Sequence, residues 1–163
     1  MEIEEKPKEV RWYAVKVYYN RMVPLRERLT ADGVNYFIPS MITSLLFVQS
    51  SPVYIERFEN DYRDRLRVYR DLLTGKFSAI PDREMEVFVF VCMAGQQGLC
   101  YLGDDRPEYH QGDRVRVTEG IFRGAEGYIK RIKKDRRLVV SIRGVAAVAT
   151  TYIPPQFLET ISK

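Results

Sequence analysis

The sequence contains few of the residues that build metal and redox centres. Its 163 residues include two cysteines, Cys92 and Cys100, and one histidine, His110. The cysteines lack the CxxC spacing of a zinc or redox motif, and a single histidine adds little to such a ligand set. We therefore expect two free thiols, no metal site and no cofactor.

Long apolar stretches are also missing. The longest, residues 87–94, is far shorter than the ~20 residues that cross a bilayer. The first ten residues mix acidic and basic side chains and do not resemble a secretory signal. From these two absences we expect a cytoplasmic protein with no membrane partner.

Catalytic motifs are absent as well. No serine has a G-x-S-x-G setting, and no glycine-rich segment has the spacing of a P-loop. His110 falls in a polar stretch between two apolar patterns, where a structural role is expected. We predict that the protein is not an enzyme.

The charge balance is mildly basic. Lys and Arg number 26 against 22 Asp and Glu, giving a formal net charge of +4. An excess of this size permits contact with nucleic acid but does not require it.

The first part of the chain mixes strand and helix patterns and predicts an α+β fold. In residues 11–19, alternation places Tyr13, Val15 and Val17 on one face, which we expect to be core. Ser51-Pro52 is typical of a helix start, and Pro81-Asp82 opens another helical pattern. Strands are predicted at 11–19, 34–38, 42–49, 68–73 and 77–80, and helices at 23–32, from 52 and from 82.

The last part predicts a small all-β barrel. Alternating residues from Asp113 onwards are interrupted by glycines and then alternate again to Ile129, which is typical of a β-hairpin. Strands are predicted at 114–118, 126–132, 138–142, 147–152 and 158–161. The polar segment 103–111 predicts a linker, so we divide the chain into a flexible N-terminus (1–10), a first domain (11–102), the linker and a second domain (112–163).

The glycine-rich hairpin resembles the KOW motif of transcription elongation factors and some ribosomal proteins. The motif positions are Gly112, Val115, Val117, Gly120, Gly124 and Gly127. Combined with RWYAVKVYY at 11–19, SLLFVQ at 44–49 and IPDREMEVF at 80–88, the chain is similar to NusG-like proteins over nearly its whole length. The motif sequences are most similar to those of the UpxY group of capsular polysaccharide antiterminators. RfaH is a related paralogue.

This resemblance implies an architecture and a function. It implies an NGN domain, with a four-stranded antiparallel sheet flanked by helices, followed by an SH3-like KOW barrel. It also implies binding to the clamp helices of the largest subunit of RNA polymerase and antitermination on particular long operons. The alternatives are a housekeeping NusG acting on elongation and termination, and a ribosome- or RNA-binding KOW protein without a polymerase role.

The resemblance also assigns residues. The polymerase patch falls on Leu45 and Phe47, with Tyr13 and Phe37 as further members, and contact with the non-template DNA strand falls on Arg21 and Arg28. Two departures stand out. The link at 39–41 is shorter than the family's usual loop. In addition, Arg143 replaces the apolar residue that often precedes the last loop glycine, where the KOW module contacts a small-subunit ribosomal protein.

Overall fold

A computed structural model of the chain describes residues 9–19, 21–95 and 97–162. The predicted flexible N-terminus therefore lies almost entirely outside the described residues. By its internal contacts the chain divides into two compact units, one up to Asp82 and one from Arg83. Each unit contains one antiparallel sheet, so the expected α+β class with two antiparallel sheets is confirmed.

The first unit is an antiparallel sheet with two helices. The sheet has the order β2-β3-β1-β4, and the short β5 pairs with β1. Most of these elements lie close to the predicted ones, because alternation and helix-start signals are local; the strand predicted at 68–73 is wrong, since β4 ends at Val68 and a turn follows from residue 72. The elements of this unit are β1 (Arg11–Val17), α1 (Met22–Ala31), β2 (Asn35–Phe37), β3 (Leu45–Ser50), α2 (Pro52–Asp61), β4 (Leu66–Val68) and β5 (Ala79–Ile80).

One face of this sheet forms the core beneath the helices. Tyr13 lies opposite Val48 and Val15 opposite Leu46, so these side chains point to the same face. They pack with Leu25 of α1 and other buried residues of both helices. The predicted core face of the first strand is therefore confirmed.

Local signals explain where the helices and turns of this unit begin. The Ser51 side chain accepts a hydrogen bond from the Tyr54 N–H at 3.2 Å, and Pro52 occupies the first turn of α2. The short link between β2 and β3 is a turn in which the Ile42 N–H donates to the Pro39 carbonyl at 3.1 Å.

The second unit contains a helix and a six-stranded antiparallel sheet of order β11-β7-β8-β9-β10-β6. Single-turn 3₁₀ segments lie at Pro107–His110 and Pro155–Phe157. The longer elements are α3 (Asp82–Ala94), β6 (Cys100–Gly103), β7 (Arg114–Val117), β8 (Glu126–Ile132), β9 (Asp135–Ile142), β10 (Ala146–Tyr152) and β11 (Leu158–Ser162).

The division of the chain lies earlier than the predicted linker at 103–111. From Arg83 onwards α3 belongs to the second unit, and β6 pairs with β10 of the six-stranded sheet. The N–H of Arg143 donates to the Glu84 carboxylate, and Gly95 lies against the ring of Phe122. These contacts join residues that are distant in sequence, so a local pattern such as a polar segment cannot predict them.

The glycines of the hairpin motif have two different roles. Gly112, Gly120 and Gly124 have φ between 88° and 94°, a region that side chains disfavour. Gly127 instead permits close packing of strands, because a Cβ atom there would lie 2.3 Å from the carbonyl oxygen of Val139.

Candidate interaction surfaces

Three of the four residues assigned to a polymerase patch share one face of the first sheet. Phe37 of β2 lies opposite Phe47 of β3, and their stacked rings are 6.3 Å apart between centroids. Leu45 is two residues from Phe47 on the same strand, opposite Lys16 of β1. The structure therefore brings Phe37, Leu45 and Phe47 together on the face away from α1 and α2. We call them the aromatic face.

Tyr13 does not lie on the aromatic face. It points into the helix-covered core, where its ring meets Phe77 edge-on at 6.3 Å. Burial raises the pKa of the Tyr13 hydroxyl. The sequence already indicates this difference, because Tyr13 alternates in phase with Val15 and Val17 and therefore lies on the predicted core face. The same register adds Ala14, opposite Phe47, to the aromatic face, which the sequence interpretation missed.

Burial differs strongly among the residues of the aromatic face. Phe47 has 0% of its surface exposed and Leu45 has 3%, whereas Phe37 on the edge strand β2 remains partly exposed. An anchor that inserts into a partner's groove must present accessible surface. In this structure only Phe37 of the three presents appreciable surface without a rearrangement.

The two arginines assigned to DNA contact have unequal surroundings. Arg21 is exposed just before α1, and among the described residues no ion pair is found for it. The Arg28 guanidinium contacts the carboxylates of Asp32 at 2.8 Å and Asp61 at 3.0 Å and lies over the Tyr62 ring. Hydrogen bonds to Asp32 and Tyr62 raise the pKa of Arg28. Its charge is therefore already compensated, and Arg21 is the freer of the two.

The two arginines of β7 and one arginine of α3 surround a single carboxylate. Glu126 accepts from Arg116 at 2.7 Å and from Arg114 at 3.1 Å, and the Arg83 guanidinium of α3 lies 3.7 Å away. Burial raises the pKa of Glu126, but these arginines more than offset it and leave the pKa lowered. Ion pairs within the second unit therefore account for Arg114 and Arg116, the alternating arginines of β7.

The turn between β9 and β10 is held by two carboxylates. The Arg143 N–H donates to Glu84 of α3, and the Gly144 N–H donates to the Asp105 carboxylate at 2.9 Å. Asp105 also contacts His110 Nε2 at 2.8 Å, and Ser141 Oγ lies 3.3 Å from the same nitrogen. A catalytic triad holds its serine and aspartate on different ring nitrogens, so this cluster positions the turn and lacks triad geometry.

Within residues 9–19, 21–95 and 97–162, no group of three or more histidine, cysteine or acidic side chains is arranged to hold a metal ion. In the same ranges no helix has both the length and the apolar character needed to span a membrane.

No family model matches the chain, and no curated protein matches it. The chain is similar in fold to a solved structure of NusG from Thermotoga maritima, described for its domain interaction. The TM-score is 0.55 at 16% identity, over 94% of this chain and 98% of that chain. At this identity the likeness is one of fold.

Proposed function

We propose that this protein is a non-enzymatic transcription factor of the NusG type that binds elongating RNA polymerase. The observation that carries the proposal is the NusG-like fold over 94% of the chain, which includes both units. The motif resemblance points to the same class independently of the fold comparison. In this proposal residues 11–102 correspond to an NGN domain and residues 112–163 to a KOW module.

We propose further that the protein is a specialised antiterminator of particular long operons, as in the UpxY group. The motif sequences, which resemble those of the UpxY group, support this assignment. Arg143 supports it as well, because it replaces the apolar residue with which the KOW module of NusG-like proteins often contacts a ribosomal protein. Transcript profiling after deletion tests it. Loss of the distal transcripts of a few operons is expected, whereas a general growth defect would favour a housekeeping NusG.

The polymerase contact in this proposal is the aromatic face, with Phe37 as its accessible anchor. Phe37 is stacked on Phe47 and lies on the edge strand, so a partner helix can reach it from the side. A few central aromatic residues commonly carry most of the binding energy of an interface.

A pair of neighbouring variants tests this contact. Tyr36 and Phe37 are adjacent on β2, both partly exposed, and point to opposite faces of the sheet. We expect Phe37→Ala to weaken binding of purified RNA polymerase at least about fivefold, as the loss of ~1 kcal/mol or more at an anchor implies. Tyr36→Ala removes a similar ring from the helix-covered face and is the matched control.

The readout is the dissociation constant for core polymerase, with circular dichroism confirming that both variants fold. Equal weakening by both variants would mean that general destabilisation, and not the aromatic face, controls binding. Failure of the unaltered protein to bind polymerase, together with binding to ribosomal RNA, would replace the proposal with a ribosome- or RNA-binding role.

A further inference from the structure

The segment predicted as a polar linker lies against one face of the second sheet. Strands β7 to β11 are neighbours in this sheet, and β6 adds a further strand at the edge of β10. β6 and the 3₁₀ segment that follows it both lie within residues 100–110. We call residues 100–110 the strap.

A row of directly opposed residues runs across four strands and ends in the strap. Tyr128 of β8 lies opposite Val139 of β9, and Val139 lies opposite Ala149 of β10. Ala149 in turn lies opposite Cys100 of β6. Directly opposed side chains share one face of a sheet, and so does Ala147, two residues from Ala149. We call the part of this face on β8, β9 and β10 the covered face.

Apolar side chains of the strap seal the covered face from solvent. Val139, Ala147 and Ala149 each have at most 1% of their surface exposed. The strap residues that pack against them are Cys100, Leu102 and Tyr109. An open strap would therefore leave an apolar strip in water.

Polar contacts hold the second half of the strap. His110 Nε2 lies 3.3 Å from Ser141 Oγ, and the His110 ring meets the Tyr128 ring edge-on at 5.9 Å. The Asp105 carboxylate contacts His110 at 2.8 Å and accepts the Gly144 N–H at 2.9 Å. Asp105 therefore joins the strap both to its own 3₁₀ segment and to the turn between β9 and β10.

The strap is less firmly held than the face beneath it. β6 has four residues, and its register with β10 shifts between Ala147 and Val148. Every one of residues 99–111 is at least partly exposed, whereas the covered alanines are fully buried. Segments with short pairing and few buried side chains open first in native proteins. We therefore expect the strap to open before the strands that it covers.

The surface beneath an open strap fits an extended chain. Among the described strands β10 has β9 and β6 as neighbours, so opening of the strap leaves one row of β10 N–H and C=O groups unpaired. Another extended backbone is the partner that matches such a row. The small side chains of Ala147 and Ala149 leave space above them, which Cys100 and Leu102 of the strap fill.

We propose that the covered face and the free edge of β10 form a docking site for an extended segment of another protein, and that the strap occupies this site in the unbound protein. The fitting segment runs antiparallel to β10 and presents apolar side chains on the side that meets the covered face. The proposal does not rest on polymerase binding, because none of these residues belongs to the aromatic face.

The strap itself provides the probe and the variants. The probe is a fluorescein-labelled peptide of residues 99–111 that carries Cys100→Ala. The strap-weakened variant is Leu102→Ser, Asp105→Ala, which removes one apolar side chain from the covered face together with the carboxylate contacts. Its matched control is Tyr101→Ser, Asp104→Ala, which removes the same kinds of side chain from two exposed neighbours.

The labelled peptide is titrated with each purified full-length protein, and its anisotropy is followed. The tethered strap competes with the peptide at a high effective concentration. Loss of a charge-assisted hydrogen bond and of a packed leucine reduces this competition, so we expect the strap-weakened variant to bind at least about tenfold more tightly than the unaltered protein. The control should bind like the unaltered protein, and a peptide with Leu102→Ser should bind at least about tenfold more weakly. Hydrogen exchange at residues 99–103 should be faster in the strap-weakened variant alone.

Several outcomes would overturn the proposal. Equal peptide affinity of the strap-weakened and unaltered proteins would mean that the strap does not occupy the site. No binding by a strap-weakened variant with native circular dichroism would mean that the face does not dock a strand, and loss of its fold would make the strap a permanent part of the sheet. A dimer of the unaltered protein in light scattering, absent from the strap-weakened variant, would identify a second copy as the occupant. Polymerase is absent from these assays, so failure here leaves the proposed function standing, and the reverse also holds.

Discussion

Replacing Glu59 tests how the first unit is held together. Glu59 lies in α2 with 5% of its surface exposed. Its carboxylate contacts the Arg70 guanidinium and accepts the Val68 N–H at 2.8 Å. Arg70 in turn lies over the Phe77 ring, 4.6 Å from its centroid. One carboxylate thus connects a helix, strand β4 and the segment that follows it.

The expected magnitude follows from this geometry. Breaking a fully buried ion pair costs about 3–5 kcal/mol. The Arg70 side chain is 39% exposed, so water replaces part of the lost interaction. We therefore expect Glu59→Gln to lower the free energy of unfolding by about 2 kcal/mol, and Arg70→Met by a similar amount. The double variant should lose less than the sum, with a coupling energy of about 1–2 kcal/mol.

The assay is urea unfolding followed by tryptophan fluorescence. Trp12, the single tryptophan, lies on β1 of the first unit. A coupling energy near zero, with both single variants folded, would refute the role assigned to this pair.

The same substitution has a predicted pH dependence. Burial raises the pKa of Glu59, but hydrogen bonds from Arg70 and the Val68 N–H more than offset it and leave the pKa below 4.5. A lowered pKa contributes stability that is present above about pH 4.5 and is lost as the pH falls through the folded-state value. Glu59→Gln should therefore be less acid-sensitive than the unaltered protein, and an unchanged acid profile would contradict this reasoning.

Two further predictions concern the second unit. Gly127→Ala should destabilise it by about 2–3 kcal/mol in thermal unfolding, because the new methyl group meets the Val139 carbonyl. Gly124→Ala, where space is open but φ is positive, should cost only about 1 kcal/mol, and equal costs would contradict the packing argument. Burial raises the pKa of the Cys92 thiol to about 12, so iodoacetamide at pH 8 should label Cys100 first. Mass spectrometry that found Cys92 labelled as fast in the native protein would show that it is accessible.

Sequence patterns predicted those elements whose signals are local. Strand β8 was predicted with its observed bounds, since its hairpin carries both alternation and turn glycines. Strand β6 was missed, because four residues between Gly98 and a polar segment show no alternation, and its pairing partner β10 is distant in sequence. Likewise, nothing in α2 marks Glu59 as buried, since its partner Arg70 follows only after the helix has ended.

The candidate surface was predictable in position but not in exposure. Alternation along β3 places Leu45 and Phe47 on one face, and the register with β2 adds Phe37. Whether such side chains reach solvent depends on the folded chain as a whole, and here Phe47 does not.

The turn at Arg143 and Gly144, held by two carboxylates, restricts how a partner can bind the second sheet there. The backbone N–H groups at a hairpin turn are often free to donate hydrogen bonds to a binding partner. Both amides of this tip are already saturated by Glu84 and Asp105. The Arg143 side chain stays exposed, so a partner at this turn would meet side chains and not free backbone N–H groups.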